Sequence, residues 1–109
     1  MTSPPANLFD PVPPGLPDEH VDELAAGPCV RIERIVSCGH ASPPGFWYDQ
    51  NRPEFVALLQ GSATLDFADG RSLPLRAGDH LTIAAHERHR VAWTSSDPQA
   101  VWLAVHYPG

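Results

Sequence analysis

Lysine is absent from this sequence: all seven cationic side chains are arginines. Schiff-base and lysine-nucleophile chemistry are thereby excluded. Cysteine is scarce as well. Cys29 and Cys38 stand at the two ends of one extended run, where a rise of about 3.3 Å per residue puts their Cα atoms about 30 Å apart. A disulfide needs about 4.4–6.8 Å, so no intrachain bridge is expected. Both thiols read as small apolar fillers, which suits a cytoplasmic location. No apolar run approaches the roughly 20 residues that span a bilayer, so no membrane partner is expected. The opening residues carry neither the basic start nor the apolar stretch of a secretory leader. A glycine-rich phosphate loop and a serine nucleophile elbow are missing too, which leaves nucleotide binding and serine catalysis unsupported.

What is present is enough for one domain: 109 residues, 42% of them apolar. The net charge of −6 is lopsided. Residues 1–28 hold Asp10, Asp18, Glu19, Asp22 and Glu23 with no cation, whereas the remainder sets eight acids against seven arginines. A nearly neutral folded part has no basic stripe for phosphates, so no nucleic acid partner is expected.

Six of the thirteen prolines fall in residues 1–17. Neither a helix nor an inner strand survives that density. Residues 1–28 therefore read as an extended, proline-rich acidic arm, and 29–109 as the folded domain. Within the arm, Leu16 to Leu24 reads as an edge strand or one helical turn. From Val30 the pattern is β throughout. Val30–Ser37 is rich in Val and Ile with interleaved charges, and Phe55–Leu59 is apolar enough to be buried on both faces. Ala63, Leu65 and Phe67 alternate with Thr64 and Asp66. Asp69–Gly70 marks a hairpin, and Ala77–Gly78–Asp79 a further turn. His80–Ala84, His89–Thr94 and Ala100–Tyr107 complete an all-β set whose close spacing suits a barrel or sandwich. The last strand is apolar on both sides, which predicts a covered sheet or a homodimer contact.

Two stretches carry a resemblance. Glu54-Phe-Val-Ala-Leu-Leu-Gln-Gly61 is similar to the end of the first cupin motif. Gly78-Asp79-His80-Leu81-Thr82-Ile83-Ala84-Ala85-His86-Glu87-Arg88-His89 resembles the second. The likeness implies a single cupin β-barrel (the double-stranded β-helix or jelly roll) of the small RmlC-like kind, covering about residues 30–107. Physical reasons support these positions independently. Gly61 and Gly78 sit at turns that tolerate positive φ, and Asp79 can accept turn N–H groups. Glu54 opens an apolar strand, and a buried carboxylate needs a partner, either a metal or an arginine such as Arg88 or Arg90. His89 shares a strand face with Val91 and Trp93 and aims inward.

The usual first motif also supplies two histidines, which with the glutamate and the later histidine hold a divalent metal. Here Trp47-Tyr48-Asp49-Gln50 stands in their place. A four-residue spacing to Glu54 assigns the two positions to Trp47 and Asp49; a three-residue spacing assigns them to Tyr48 and Gln50. Two readings follow. In one, Asp49 or Gln50 joins Glu54 and His89 around a divalent metal such as Zn, Mn, Fe or Ni, with His106 as a candidate further ligand. In the other, Trp47, Tyr48, Trp93 and also Trp102 line a pocket for a small molecule, with the polar residues as anchors. His80 and the run His86-Glu87-Arg88 read as solvent-facing. Three functions compete: a small-molecule or metal-binding barrel, a metal-dependent enzyme on a small polar substrate, and a structural dimer domain.

Overall fold

The computed structural model describes residue 2 and residues 4–109. Positions 1 and 3 of the arm lie outside the described residues. Eight strands follow in order: β1 (His20–Ala26), β2 (Arg31–Ser37), β3 (Glu54–Gln60), β4 (Ser62–Phe67), β5 (Ser72–Arg76), β6 (His80–Ile83), β7 (His89–Thr94) and β8 (Ala100–His106). They form a five-stranded sheet, ordered β1-β2-β8-β3-β6, and a three-stranded sheet, ordered β5-β4-β7. Every pairing is antiparallel. The all-β expectation holds, and among the described residues no helix is long and apolar enough to cross a membrane.

The core lies between the sheets. Val56, Leu58, Ile83, Ala100, Trp102 and Ala104 enter it from the larger sheet, and Ala63, Leu65 and Phe67 from the smaller. In β4 the alternation read from the sequence is realised residue for residue, with Thr64 and Asp66 turned outward. Burying Leu58, Leu65 and Phe67 stabilises the fold by roughly 1.5–3 kcal/mol each. Gly61 makes the tight step from β3 to β4 at φ +80°, where a Cβ would lie 2.6 Å from Ser95 Oγ and 2.9 Å from the Gln99 carbonyl oxygen. Backbone on one side leaves no room for any side chain there. Asp79 closes the turn before β6 as anticipated, accepting the Arg76 N–H at 2.9 Å.

A β-bulge corrects one expectation. Across β4 and β7, Thr64 pairs with Trp93 but Leu65 pairs with Val91, so Ala92 is an extra residue on β7. The extra residue reverses the inward–outward alternation beyond it. His89 and Val91 therefore face in, while Trp93 faces out with 51% of its surface exposed.

The N-terminal segment lies along the outer face of the larger sheet. Val12 packs with Val36 and Val101, against Leu59, and Gln99 Nε2 donates to the Val12 carbonyl at 3.0 Å. Arg34 is buried and donates to the carbonyls of Leu8 (3.2 Å) and Asp10 (2.9 Å) while pairing with Asp22 at 2.6 Å. The second apolar face of β8 is thus covered at Val101 by the chain's own arm. Of the two readings for Leu16–Leu24, the edge strand is realised, as β1 beside β2. Both cysteines are free thiols; Cys29 is exposed, not a buried filler.

Candidate functional site

A cavity of about 250 Å³ opens between the sheets at the end where β3 begins and β8 finishes. Strand register builds its polar wall. Glu54 on β3 stands directly opposite His106 on β8, and His106 opposite Arg31 on β2. Glu33 and Ile35 follow Arg31 on the same face of β2 by the two-residue period, and all three line the cavity. His106 Nε2 lies 2.9 Å from Glu33 Oε1 and 3.6 Å from Glu54 Oε2. Arg31 Nε meets the other Glu33 oxygen at 3.2 Å. Glu54 is only 7% exposed, and among the described residues its carboxylate makes no hydrogen bond. Burial pushes its pKa up. The imidazoles of His106 and His89, when charged, pull the other way, and the charge of Glu33 adds to the rise. Its ionic neighbour is His106, not Arg88 or Arg90. Arg88 lies over the Trp47 ring at 5.7 Å, and Arg90 donates to the Ser42 carbonyl.

His89 reaches the cavity from β7. Its Nδ1 lies 2.8 Å from the Glu87 carbonyl, which can only accept, so Nδ1 carries a proton and Nε2 is the ring nitrogen left for the cavity side. The ring stacks on Tyr48 at 5.3 Å. Backbone bonds in both directions between Tyr48 and His89 hold the two segments together. Burial, and then the negative charges of Glu19 and Glu54, push the Tyr48 phenol up, so it stays a neutral donor at physiological pH. At the cavity floor the indole N–H of Trp102 donates to Ser37 Oγ at 3.3 Å, and that hydroxyl in turn bonds Glu19.

The loop before β3 resolves the choice between spacings. Tyr48 and Gln50 line the cavity. Asp49 points away and binds His86 Nδ1 at 2.8 Å on an exposed surface, and Trp47 is occupied by Arg88. The three-residue spacing is the one that fits, because extended backbone sends alternate side chains to opposite sides. Tyr48, Gln50, Glu54, His89, Trp102 and His106 are therefore brought together, while Trp47, Asp49 and Trp93 are not. Arg31, Glu33 and Glu19 were missed by sequence reasoning. The two β2 charges are in phase with Ile35 and the fully buried Ser37, and that phase is the signal that would have found them. Among the described residues, no three His, Cys, Asp or Glu side chains converge as a metal-holding group.

Comparison with known proteins places this architecture. The cupin-domain family model matches residues 35–106. The chain belongs to the cupin family. Several solved cupins share its shape. A protein from Ralstonia eutropha JMP134, named provisionally as a mannose-6-phosphate isomerase, is 46% identical, with a TM-score of 0.91 over 98% of this chain and 100% of its own. A cupin superfamily protein of Desulfitobacterium hafniense DCB-2 is 18% identical, with a TM-score of 0.74 over 90% of this chain and 84% of its own. An RmlC-like cupin of Methanocaldococcus jannaschii, with the double-stranded β-helix fold, is 18% identical at a TM-score of 0.69, covering 92% of each chain. No curated protein matches the chain. The cupin cavity described above lies within the matched region except where Glu19, Val21, Arg31 and Glu33 extend its wall.

Proposed function

We propose that this cupin binds a small polar organic molecule in the cavity, with Tyr48, Gln50, Glu54, His89 and His106 as its polar contacts and without a resident metal. One observation carries the reading. The two places where a cupin offers histidines hold Tyr48 and Gln50, and both face the cavity. The resulting donor set does not fit a divalent ion. Tyr48 is a neutral phenol and Gln50 a neutral amide, which leaves Glu54 as the one carboxylate among them. A single ready imidazole, His89, falls short of the three protein ligands that hold even an open catalytic zinc. The apolar part of the wall (Ile35, Val56, Leu65, Ile83, Val91) suits the body of an organic ligand.

A second reading adds catalysis. A buried carboxyl with a raised pKa beside two imidazoles is the equipment of a general acid–base pair. The R. eutropha neighbour is provisionally named as an isomerase. A structural dimer domain without ligand is disfavoured, because Trp47 and Trp93 lie outside and leave the cavity unplugged. Homodimer formation and a cytoplasmic location stay within the proposal. Two free thiols suit a reducing compartment, and the exposed Val21 and Leu24 on edge strand β1 suit a contact between copies.

NMR titration with a panel including mannose and mannose 6-phosphate tests the reading. Saturable shifts at the His89 and His106 rings are expected for at least one member, and turnover lost in Glu54→Gln would establish the catalytic reading. Ligands that bind but perturb only surface residues would contradict the cavity as the site.

A further inference from the structure

The charges around the cavity are unbalanced, and the imbalance bears on what can enter. Glu19, Glu33 and Glu54 face it against a single guanidinium, that of Arg31. Arg31 is already engaged by Glu33, and its side chain is half-exposed at the rim. Glu33 also meets His106, and Glu19 accepts from the Ser37 hydroxyl. Glu54 differs from both. It is the most buried of the three carboxylates, 7% exposed, and among the described residues no hydrogen bond reaches it. The nearest candidate donor, His106 Nε2, is 3.6 Å away and lies closer to Glu33. That contact is longer than a hydrogen bond, so the Glu54 carboxylate keeps acceptor capacity that a ligand's N–H donors can fill.

Resting on the cavity reading above, we infer that the ligand is a small organic cation, an ammonium or amidinium group on an apolar body, with its N–H donors directed at Glu54. Three further features fit. An anionic ligand would meet three carboxylates, whose like charges repel it. The Gln50 amide and the neutral Tyr48 phenol can share the cation's remaining donors through their oxygens. The rings of Tyr48 and Trp102, both in the wall, offer faces that attract cations. A phosphate ester has no matching anchor, since among the described residues the only guanidinium facing the cavity, that of Arg31, is engaged by Glu33.

Three isosteric probes test this by calorimetry on the full chain: cyclohexylammonium, cyclohexanol and cyclohexanecarboxylate. The ammonium should bind about tenfold or more tightly than the alcohol, the scale of a charge-assisted bond to a buried carboxylate. The carboxylate should not bind. In Glu54→Gln, whose fold is checked by circular dichroism, the ammonium should lose that advantage while the alcohol is little changed. The comparison among probes in the wild type stands even if the variant folds poorly. Binding of the alcohol as tightly as the ammonium, or preference for the carboxylate, overturns the cation inference and leaves the cavity as a ligand site. Silence from all three overturns the inference too. Silence here together with silence from the sugar panel would overturn the cavity reading with it.

Discussion

The same three strands, β2, β8 and β3, are built in opposite ways at their two ends. At one end the row Ile35–Trp102–Leu58 crosses the sheet and packs against Ala63 and Leu65 of the facing sheet. At the other end the row Arg31–His106–Glu54 crosses the same strands and faces the polar part of the cavity, whose apolar wall includes Ile35 and Trp102. Backbone pairing is continuous through both rows. What changes is the side-chain chemistry. One end is closed by apolar volume, and the other holds charges that a purely structural barrel has no reason to bury. That contrast separates the part of the molecule that folds it from the part proposed to bind a ligand.

Substitutions should separate the two ends. The largest effect is expected at the packed end. Leu58 is fully buried and Trp102 nearly so, and replacing either by Ala should cost about 2–5 kcal/mol, read from urea unfolding. Next comes the arm. Arg34→Ala leaves the carbonyls of Leu8 and Asp10 without their donor and should cost about 1–3 kcal/mol, with faster proteolysis of residues 4–17. The open end should respond with the opposite sign. Glu54→Gln removes a buried carboxylate whose ionic contact, His106, lies at 3.6 Å, and should stabilise by up to about 2 kcal/mol at neutral pH.

That gain depends on pH in a defined direction. Burial raises the Glu54 pKa above its ordinary 4.5. Between that value and its folded pKa, the folded protein holds a proton that the unfolded chain has lost. Stability attributable to Glu54 is therefore present below about pH 4.5 and falls as pH rises through the folded value. The difference between wild type and Glu54→Gln should shrink toward acid and widen toward neutrality. A gap that widens toward acid would mean that Glu54 is stabilised as a carboxylate. Trp93→Ala should have the smallest effect, within about 0.5 kcal/mol, since the bulge at Ala92 puts the ring in solvent. A loss comparable with that of Trp102→Ala would show that the bulge is misplaced.

How much of this was legible follows from where each signal lives. The strands were readable because alternation in Ser62–Phe67 and turn residues such as Asp69–Gly70 are local. Glu54 and His89 were readable from spacing and the glycines that bracket them. Tyr48 and Gln50 were ambiguous because their segment is a loop, and a loop carries no periodic signal to choose between two spacings. Trp93 was misplaced because a bulge exists only in the pairing of two strands, and the extra Ala92 is unmarked in sequence. Arg31 and Glu33 looked like solvent charges until β8 supplied His106 beside them. The arm's grip on Val101 was equally invisible, since Arg34 reads as one more surface cation until the carbonyls of Leu8 and Asp10 meet it.

Whether this barrel holds a metal decides between the two readings of Tyr48 and Gln50. The direct measurement is elemental analysis of protein purified with neither an affinity tag nor a chelator, repeated on Glu54→Ala and His89→Ala. Far less than one equivalent of Zn, Mn, Fe or Ni is expected in the wild type, with no drop in either variant. Near-stoichiometric metal that disappears from both variants would contradict the metal-free reading, and would show that Tyr48 and Gln50 complete a metal site after all.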